Sequence, residues 1–356
     1  MQDNAAHNLL NYTLKSGWKI IEKIEKPINT TGGFFSVCYK VELNGEICFL
    51  KAFDFSRFHS LSELENPGRN AVDVMGDMIA AYQYERDLSN YCKDRHVTKV
   101  QFVKEAGEEI VRGFTYSLVP YLIFDLADGD VRTQLNFSND LDFAWKLGSL
   151  HDIAVGLKQL HQIDVSHQDL KPSNILIFNK TTKLGDIGRS LCKNLNDGPY
   201  KGRIYTGDNN YAPPEIMYRY FENDWNKRVF ATDCYLLGSM VVFYFTGISM
   251  SALLMNNIPY DFRPEKWRGY FDQVKPYIAD AFSKALLDFE NCITDEFFRK
   301  ELSLIVEYLC YPFPENRGHP KDIASIGSSF NLERFVSRFN YLFRKAEYRI
   351  KQLKSG

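Results

Sequence analysis

Apolar and polar residues alternate through the first third of the chain. The runs "WKIIEKI", "VCYKVEL" and "EICFLKAF" are separated by the turn-rich segments "PINTTGG" and "LNGE", and "EEIVRGFTYSLVPYLIF" supplies two more runs rich in branched and aromatic residues. This pattern predicts an antiparallel sheet. Between the third and fourth strands, "AVDVMGDMIAAYQYERDLSNYC" predicts a helix, because apolar residues recur at helical spacing in Met75, Met78, Tyr82 and Leu88.

The pattern becomes helical after "DLADGD". Apolar residues share one face of "AWKLGSLHDIAVGLKQLHQI", and the later segments are mainly helical and separated by "NDGP", "APPE" and "YPFPENRGHP". We therefore expect an α+β fold with two lobes. A small antiparallel β-sheet lobe covers residues 17–124, a hinge covers 125–130, and a larger, mainly helical lobe covers 131–330. The predicted helical face consists of Leu147, Leu150, Ile153, Leu157 and Leu160.

One stretch, residues 234–260, carries no formal charge and is long enough to cross a bilayer. Glycine, serine, threonine and asparagine interrupt it, and Asp233 stands directly before it in the position of a helix N-cap. These polar interruptions favour a buried core helix over a membrane span. We therefore expect no membrane span.

The two ends of the chain lie outside the predicted lobes. Residues 1–16 form an N-terminal extension without the basic region and apolar run of a signal peptide. Residues 331–356 have apolar residues at helical spacing and, up to Lys354, seven Arg or Lys against two Glu. They predict a basic amphipathic helix with two open interpretations. It packs on the larger lobe with a solvated charged face, or it docks a partner or an anionic surface.

Composition narrows the class of protein. The chain has 356 residues, an apolar fraction of 45% and a formal net charge of −2. Its length and apolar content are sufficient for a substantial core. The balanced charge gives no general attraction for nucleic acid, so we expect no nucleic-acid partner. Seven cysteines are scattered singly, which is typical of a reducing compartment and predicts a cytoplasmic location.

The stretch "VSHQDLKPSN" places polar groups at close spacing on a predicted loop before the short apolar strand "ILIF". Asp169 and Asn174 can point to one side of this loop, which suits a base and a metal ligand. Asp186 in "KLGDIG" offers a carboxylate to a metal ion bound at Asn174, and Mg²⁺ prefers such oxygen ligands. Upstream, Glu85 lies on the inner stripe of the predicted helix, where a carboxylate needs a cationic partner. Lys51 in "FLKAF" is the candidate partner.

In this order the elements resemble the eukaryotic-type protein kinase family over about residues 17–330. The resemblance implies a bilobal protein-kinase-like fold with ATP and Mg²⁺ as cofactors. It implies that Lys51 binds the α- and β-phosphates of ATP and pairs with Glu85. It further implies that Asn174 and Asp186 hold the metal ion.

The resemblance also implies roles in the transfer step. Asp169 is the expected catalytic base toward the substrate hydroxyl, and Lys171 is expected to steady the γ-phosphate as charge develops. Lys171 and Pro172 in "DLKPSN" resemble serine/threonine kinases. The implied function is therefore transfer of the ATP γ-phosphate to a serine or threonine of a protein substrate.

The expected glycine-rich loop, "TGGFFSVC", departs from the family pattern. Ser36 stands where the family has its third glycine, and Cys38 replaces the usual valine over the adenine. Two adjacent glycines can still bring backbone N–H groups near phosphates. The implied nucleotide contacts are Gly32, Gly33, Ser36, Cys38, Lys51 and the hinge residues Asp125 and Ala127.

Landmarks downstream agree with the resemblance. "NNYAPPE" resembles the end of the family's activation segment, which implies a buried pair between Glu215 and Arg317. "TDCYLLG" resembles the start of the central helix, which implies that Asp233 holds the backbone of the catalytic loop. Ile187 replaces the usual phenylalanine after Asp186. Gln168 replaces the arginine that usually meets a phosphate on the activation segment, which argues against activation by that route.

Several alternatives stay open at the level of sequence. A pseudokinase or scaffold, and then a small-molecule phosphotransferase, are the alternative functions. An insertion at about residues 53–70 and the C-terminal helix are candidate contacts for a regulatory partner. Asp73, Asp77 and Asp87 are the local rivals of Glu85. The hydroxyls that could be modified in the expected activation segment are those of Ser190, Tyr200, Tyr205 and Thr206.

Overall fold

Five strands form one antiparallel sheet in the first third of the chain. The computed structural model describes residues 3–25, 36–56, 59, 68, 70–135, 140–195, 200, 202–325 and 329–355. The strands are β1 (Lys19–Ile24), β2 (Ser36–Leu43), β3 (Glu46–Phe53), β4 (Val103–Ile110) and β5 (Leu118–Asp125). Their spatial order is β1-β2-β3-β5-β4, and each neighbouring pair is antiparallel. The predicted antiparallel sheet is confirmed.

Both faces of this sheet are covered, and the N-terminal segment 3–18 covers one of them. Leu9, Leu14 and Trp18 are buried against apolar side chains of the strands. The hydroxyl of Tyr39 on β2 donates to the carbonyl of Ala6 at 2.8 Å, which fixes the segment on the sheet. Residues 3–18 are therefore part of the apolar core of the small lobe, a contact that alternation along the strands does not predict.

Helix α1 (Ala71–Asp94) covers the opposite face of the sheet. Val74, Met78 and Tyr82 pack with Leu122 of β5 in a second apolar cluster. The predicted stripe is wrong at Met75, which is 37% exposed, because the buried face of the helix passes through its neighbour Val74. Of the predicted insertion at 53–70, residues 57–58, 60–67 and 69 lie outside the described residues.

Helices dominate the chain after residue 130, as the sequence predicts. Short strands connect them near the cleft between the lobes: β6 (Gly129–Asp130), β7 (Val165–Ser166), β8 (Ile175–Phe178), β9 (Thr181–Leu184) and β10 (Leu191–Cys192). The helices are α2 (Val131–Gln134), α3 (Asp140–His161), α4 (Pro214–Met217), α5 (Trp225–Thr246), α6 (Met250–Asn257), α7 (Phe271–Asn291), α8 (Glu296–Cys310), α9 (Pro320–Ile323) and α10 (Glu333–Ser355). The predicted inner face of α3 is fully buried.

Helix α5 is the central helix of the larger lobe. The uncharged stretch 234–260 contains most of α5 and all of α6, so it forms two helices and not the single helix that we expected. Asp233 is not an N-cap but lies inside α5, whose N-cap is Asp224. The most apolar window of α5 is long enough to cross a membrane and is 78% buried inside the protein, as expected of a core helix. A Cβ on Gly238 would lie 2.4 Å from the sulfur of Cys310, so only glycine lets α5 and α8 approach this closely.

Helix α10 packs on α3 through buried apolar side chains that include Phe335, Phe339 and Leu342. Its basic residues contact acidic and aromatic groups of the larger lobe. Arg334 pairs with Asp322, Arg338 with Glu301 and Arg349 with Asp295, and Lys345 lies 3.5 Å above the ring of Phe297. These contacts favour the first of the two interpretations of this segment, packing on the larger lobe.

Candidate active site

Strand β3 and helix α1 bring Lys51 and Glu85 together. The Lys51 ammonium donates to Glu85 Oε1 at 2.9 Å and to Oε2 at 2.8 Å. Glu85 is 3% exposed, so its carboxylate depends on this cation for compensation. The predicted ion pair is confirmed, with Glu85 and none of its local rivals as the partner of Lys51.

Lys51 has a second acidic partner, Asp186, whose Oδ1 accepts from the ammonium at 2.9 Å. Burial by itself would lower the pKa of Lys51, but the charges of Asp186 and Glu85 raise it above its usual value. Burial would raise the pKa of Asp186, but Lys51 holds it below its usual value. For Glu85 burial prevails, and its pKa is raised. The cation and the Asp186 carboxylate therefore stay ionised across the physiological range.

The backbone after β9 makes this contact possible. Asp186 has a φ of +52°, in the left-handed region, and opens a 3-10 turn at Ile187–Arg189. A Cβ on Gly188 would lie 2.7 Å from Glu85 Oε2, so a larger residue here would displace the carboxylate that pairs with Lys51. A strained non-glycine residue beside a buried ion pair is typical of a functional site. The glycine of "DIG" thus packs closely against Glu85.

Asp233 anchors the loop between β7 and β8. One carboxylate oxygen accepts from the backbone N–H of His167 at 2.8 Å and lies 2.9 Å from His161 Nε2, and the other accepts from the N–H of Gln168 at 2.8 Å. Burial would raise the pKa of Asp233, but the hydrogen bonds and the imidazole of His161 lower it. The implied contact with the loop backbone is present, although Asp233 lies within α5.

Within this loop, Asp169 and Asn174 are adjacent. Asn174 Nδ2 donates to the carbonyl of Asp169 at 2.8 Å and to Asp169 Oδ2 at 3.1 Å. Lys171 Nζ lies 3.3 Å from the same Oδ2. All three side chains are almost completely buried. The structure therefore brings together Asp169, Lys171 and Asn174, the three side chains that the sequence places on one loop.

Asp208 is a member of this cluster that we did not predict. Its backbone N–H donates to Asp169 Oδ1 at 2.8 Å, and its Oδ2 lies 3.3 Å from Lys171 Nζ. It is 39 positions from Asp169 along the chain, so no local spacing in the sequence indicates the contact. The only signal available in the sequence is its position seven residues before Glu215, inside the expected activation segment.

A cavity of about 290 Å³ lies between the sheet and the larger lobe. It is lined by six of the predicted residues, namely Ser36, Cys38, Lys51, Glu85, Asn174 and Asp186. Asp169 is hydrogen-bonded to Asn174, which lines the cavity, and Lys171 lies beside Asp169. The hinge residues Asp125 and Ala127 are not among the residues that line this cavity. Phe49, Phe124 and Gln101 line it instead, and Gln101 Nε2 donates to the Asp125 carbonyl at 2.8 Å. Gly32 and Gly33 lie outside the described residues.

Glu215 and Arg317 form the buried pair that the sequence implies. The two guanidinium nitrogens donate to the two carboxylate oxygens at 2.7 and 2.9 Å. Arg317 is completely buried, and it also donates to backbone carbonyls of Ala231, Tyr311 and Pro312. This two-point geometry joins α4 to the core of the larger lobe.

Gln168 turns into the larger lobe. Its φ is +64°, and its side-chain amide donates to Ser166 Oγ at 2.7 Å and to the Val229 carbonyl at 3.0 Å. Nearby, Thr206 donates to the carbonyl of Arg189 at 2.7 Å, and Arg189 donates back to the carbonyl of Thr206 at 3.2 Å. Two parts of the segment between Asp186 and Glu215 are therefore joined to each other by direct hydrogen bonds.

Comparisons with known proteins agree with this geometry. A family model for the protein kinase domain matches residues 109–260. A Wee1-like protein kinase of rice is 24% identical over 266 residues, which is 68% of this chain and 49% of the rice protein. A probable serine/threonine-protein kinase of Encephalitozoon cuniculi is 32% identical over 125 residues, 35% of this chain and 21% of that protein. The chain thus spans half or less of the length of these relatives.

A crystal structure of a kinase domain has the same fold. It is 15% identical in sequence, with a TM-score of 0.53, and the match covers 90% of this chain and 97% of that chain. The bilobal α+β architecture is therefore that of a protein kinase. Together with the matched domain and relatives, it shows that the chain is similar to eukaryotic-type protein kinases.

Proposed function

We propose that the protein is an ATP- and Mg²⁺-dependent kinase that phosphorylates serine or threonine side chains of protein substrates. The observation that carries this proposal is that two charged clusters meet at one cleft. Lys51, Glu85 and Asp186 form the first, and Asp169 with Lys171 forms the core of the second, with Asn174 between the cavity and Asp169. Phosphoryl transfer requires mainly positioning and charge neutralisation, and these groups supply both.

The part of the cleft near β3 suits a nucleotide. Lys51 is the cation that would bind the α- and β-phosphates, and Glu85 holds its ammonium at the cleft. Phe49 and Phe124 give the same cavity an apolar end that suits the base of a nucleotide. Their ring centroids are 6.3 Å apart. The nucleotide base and the phosphates would thus contact different walls of one cavity.

Asn174 and Asp186 fit a magnesium ion. Both side chains line the cavity and offer hard oxygen ligands. Asn174 uses its amide nitrogen on Asp169, which directs that nitrogen away from a metal and leaves the amide oxygen as the ligand atom. The Asp186 side chain is 33% exposed, toward the cleft. Asn174 and Asp186 would thus hold the ion, and its charge would neutralise that of the phosphates.

Asp169 is the proposed base. Both of its oxygens accept hydrogen bonds from nitrogen donors, which orients the carboxylate toward an incoming hydroxyl. Lys171, 3.3 Å away, would steady the γ-phosphate as the bond to the leaving oxygen lengthens. The lysine and proline after Asp169 and the names of the matched relatives support serine or threonine as the acceptor.

All seven cysteines are in the described part of the chain, and each is a free thiol. Unpaired and mostly buried cysteines are consistent with a reducing compartment. We therefore extend the proposal to a cytoplasmic kinase.

Incubation with labelled ATP, Mg²⁺ and generic protein substrates tests the function. Asp169→Asn keeps the size of the side chain but removes the base, so transfer should fall about a thousandfold. Asp261→Asn, the same change at an exposed position of the larger lobe, is the control and should behave as wild type.

Transfer by wild type that does not fall in Asp169→Asn would contradict the assigned base. Thermal unfolding with and without ATP and Mg²⁺ separates the remaining alternative. A protein without transfer and without any nucleotide-dependent stabilisation would be a scaffold with a kinase fold.

A further inference from the structure

We propose that a groove between α7 and α8 binds a basic amphipathic helix of a protein partner. The groove has a volume of about 330 Å³ and is lined by residues of α7, of the end of α8 and of the two positions that follow α8. Its lining residues include none of the groups assigned to phosphoryl transfer. The inference therefore goes beyond the proposed function and does not depend on it.

The groove has an apolar floor. Phe282 of α7 and Tyr311 meet edge to face, with ring centroids 5.9 Å apart, and Leu286 and Leu287 line the same groove. Leu287 is 57% exposed, which is unusual for a large aliphatic side chain beside aromatic rings. Covering this leucine would remove apolar surface from water, which is the main favourable contribution to protein association. The groove therefore suits an apolar side chain as the anchor of its ligand.

The lining residues of α7 recur at helical spacing along one face. Ala279 and Glu290 mark the two ends of this face and are eleven positions apart, which is about 16 Å along a helix axis. This length corresponds to about three helical turns. A helix with apolar residues at the same spacing can lie along such a groove, whereas a small molecule would cover only part of it. The lining residues of α7 are Ala279, Phe282, Ser283, Leu286, Leu287 and Glu290.

The charge of the groove is negative. Its lining includes Glu290 and Glu307 but no lysine, arginine or histidine. Ser303 donates to Glu290 Oε1, and this neutral donor holds the carboxylate without neutralising it. In the described ranges, neither glutamate forms an ion pair, whereas Asp280 elsewhere on α7 pairs with Lys284 at 2.8 Å. Two uncompensated carboxylates beside an apolar floor are complementary to lysine or arginine residues that flank apolar anchors.

The groove and the cleft are separate surfaces of the larger lobe. They share no lining residue. Helix α7 nevertheless begins beside the segment that follows α4, because the ring of Phe271 packs against Tyr218 and Tyr220 with centroids 6.2 and 5.1 Å apart. A helix bound in the groove would therefore lie along α7 and leave the cleft open. We expect it to hold a partner on the protein without blocking phosphoryl transfer.

A synthetic peptide serves as the probe. It has about 14 residues, blocked ends, leucines at helical spacing on one face and lysines on both sides of that face. Fluorescence anisotropy with the full chain should give a Kd of about 10 μM. Leu287→Asp should weaken binding at least about tenfold, because it places a charge on the apolar floor. Glu290→Gln combined with Glu307→Gln should weaken it about fivefold, and added salt should have a smaller effect on this double variant than on wild type.

Matched controls separate this site from general attraction. A peptide of the same composition with its leucines spread around the helix should bind at least about tenfold more weakly than the probe. Ile110→Asp changes another exposed aliphatic residue, which is 61% exposed in the small lobe, and Glu22→Gln removes an exposed carboxylate there. Both should keep the wild-type Kd. Thermal unfolding establishes that each variant is folded, and Leu287→Ala replaces Leu287→Asp if the aspartate variant is not.

The possible outcomes separate this inference from the proposed function. A Kd weaker than about 1 mM, equal binding of the rearranged peptide, or unchanged binding to Leu287→Asp would overturn the inference. Self-association that Leu287→Asp abolishes would assign the groove to a second copy of the chain and would also overturn it. Asp169→Asn should bind the probe as wild type does. A chain that binds the probe through Leu287 but transfers no phosphate would refute the proposed function alone.

Discussion

The two walls of the cleft hold their charged groups in different ways. On the small-lobe wall, Lys51 is fixed by side chains alone, through Glu85 on α1 and Asp186 after β9. On the larger-lobe wall, the loop that carries Asp169 is held by its backbone N–H groups on the buried carboxylate of Asp233. This anchoring depends on α5, the buried central helix of the larger lobe, whereas the Lys51 pair requires α1 to stay in place.

This difference indicates which wall can be changed without unfolding the protein. Helix α1 meets the turn at Ile187–Arg189, where Gly188 gives just enough room for Glu85. A shift of α1 would break the Lys51 pair while the catalytic loop kept its hydrogen bonds to Asp233. Substitutions on the small-lobe wall should therefore affect activity first, and substitutions of Asp233 should affect stability first.

The largest effect on activity should come from Lys51→Met. It removes the cation proposed to bind the phosphates, so transfer should fall about a hundredfold or more. Glu85→Gln is the matched variant, because Lys51 then keeps Asp186 as a partner. It should lower transfer about tenfold. Steady-state assays with labelled ATP measure both, and equal losses would mean that Asp186 does not hold the lysine by itself.

The largest effect on stability should come from Asp233→Asn. The amide keeps one acceptor but places an N–H₂ group against a backbone N–H, so the free energy of unfolding should fall by about 3 kcal/mol. Urea unfolding measures the change. Asp224→Asn on the same helix is the control, since asparagine is also a good N-cap, and it should change stability by less than about 0.5 kcal/mol.

Low pH should remove the contribution of the Asp233 carboxylate to the free energy of unfolding. Its pKa is lowered in the folded protein, so its stabilising contribution is complete above the unfolded value of about 3.9 and is lost as the pH falls toward the folded value. The stability difference between wild type and Asp233→Asn should therefore be constant from pH 8 to pH 5 and shrink below about pH 4. Urea unfolding across this range checks it, and a difference that grows in acid would mean that the carboxylate is not the group responsible.

The smallest effects should come from surface ion pairs, whichever lobe carries them. Lys40 and Glu22 form one at 2.9 Å in the small lobe, and Lys284 and Asp280 form another at 2.8 Å on α7. Lys40→Ala and Lys284→Ala should each change the free energy of unfolding by about 0.5 kcal/mol or less and leave transfer unchanged. A large effect from either would show that burial does not explain the contrast between the two walls.

Sequence reasoning succeeded where a charge had to be buried. Glu85 on an apolar stripe and Arg317 after two prolines each required an opposite charge, and the partners found are those expected. The strand and helix pattern predicted the two-lobed fold for the same reason, since alternation and helical spacing report directly on which side chains are buried.

The remaining features depend on contacts between distant segments. The Lys51 to Asp186 contact and the position of Asp208 arise from the path of the chain after β9, which no local spacing encodes. The N-cap was misplaced at Asp233 because polar residues at 226–228 and 232–233 interrupt the first turns of α5, so the uncharged run starts more than two turns after Trp225. The nucleotide contacts expected from Asp125 and Ala127 stay predictions, since neither residue is among those that line the cavity.

The N-terminal segment has a practical consequence for work with this protein. Leu9, Leu14 and Trp18 shield one face of the small-lobe sheet, and Asp54 at the end of β3 contacts the side chains of Asn4 and His7 at 2.6 Å. A recombinant version that starts at residue 17 would lack Leu9 and Leu14 and would leave the apolar surface beneath them open to water. Such a shortened protein should aggregate during purification even though every proposed catalytic group is still encoded.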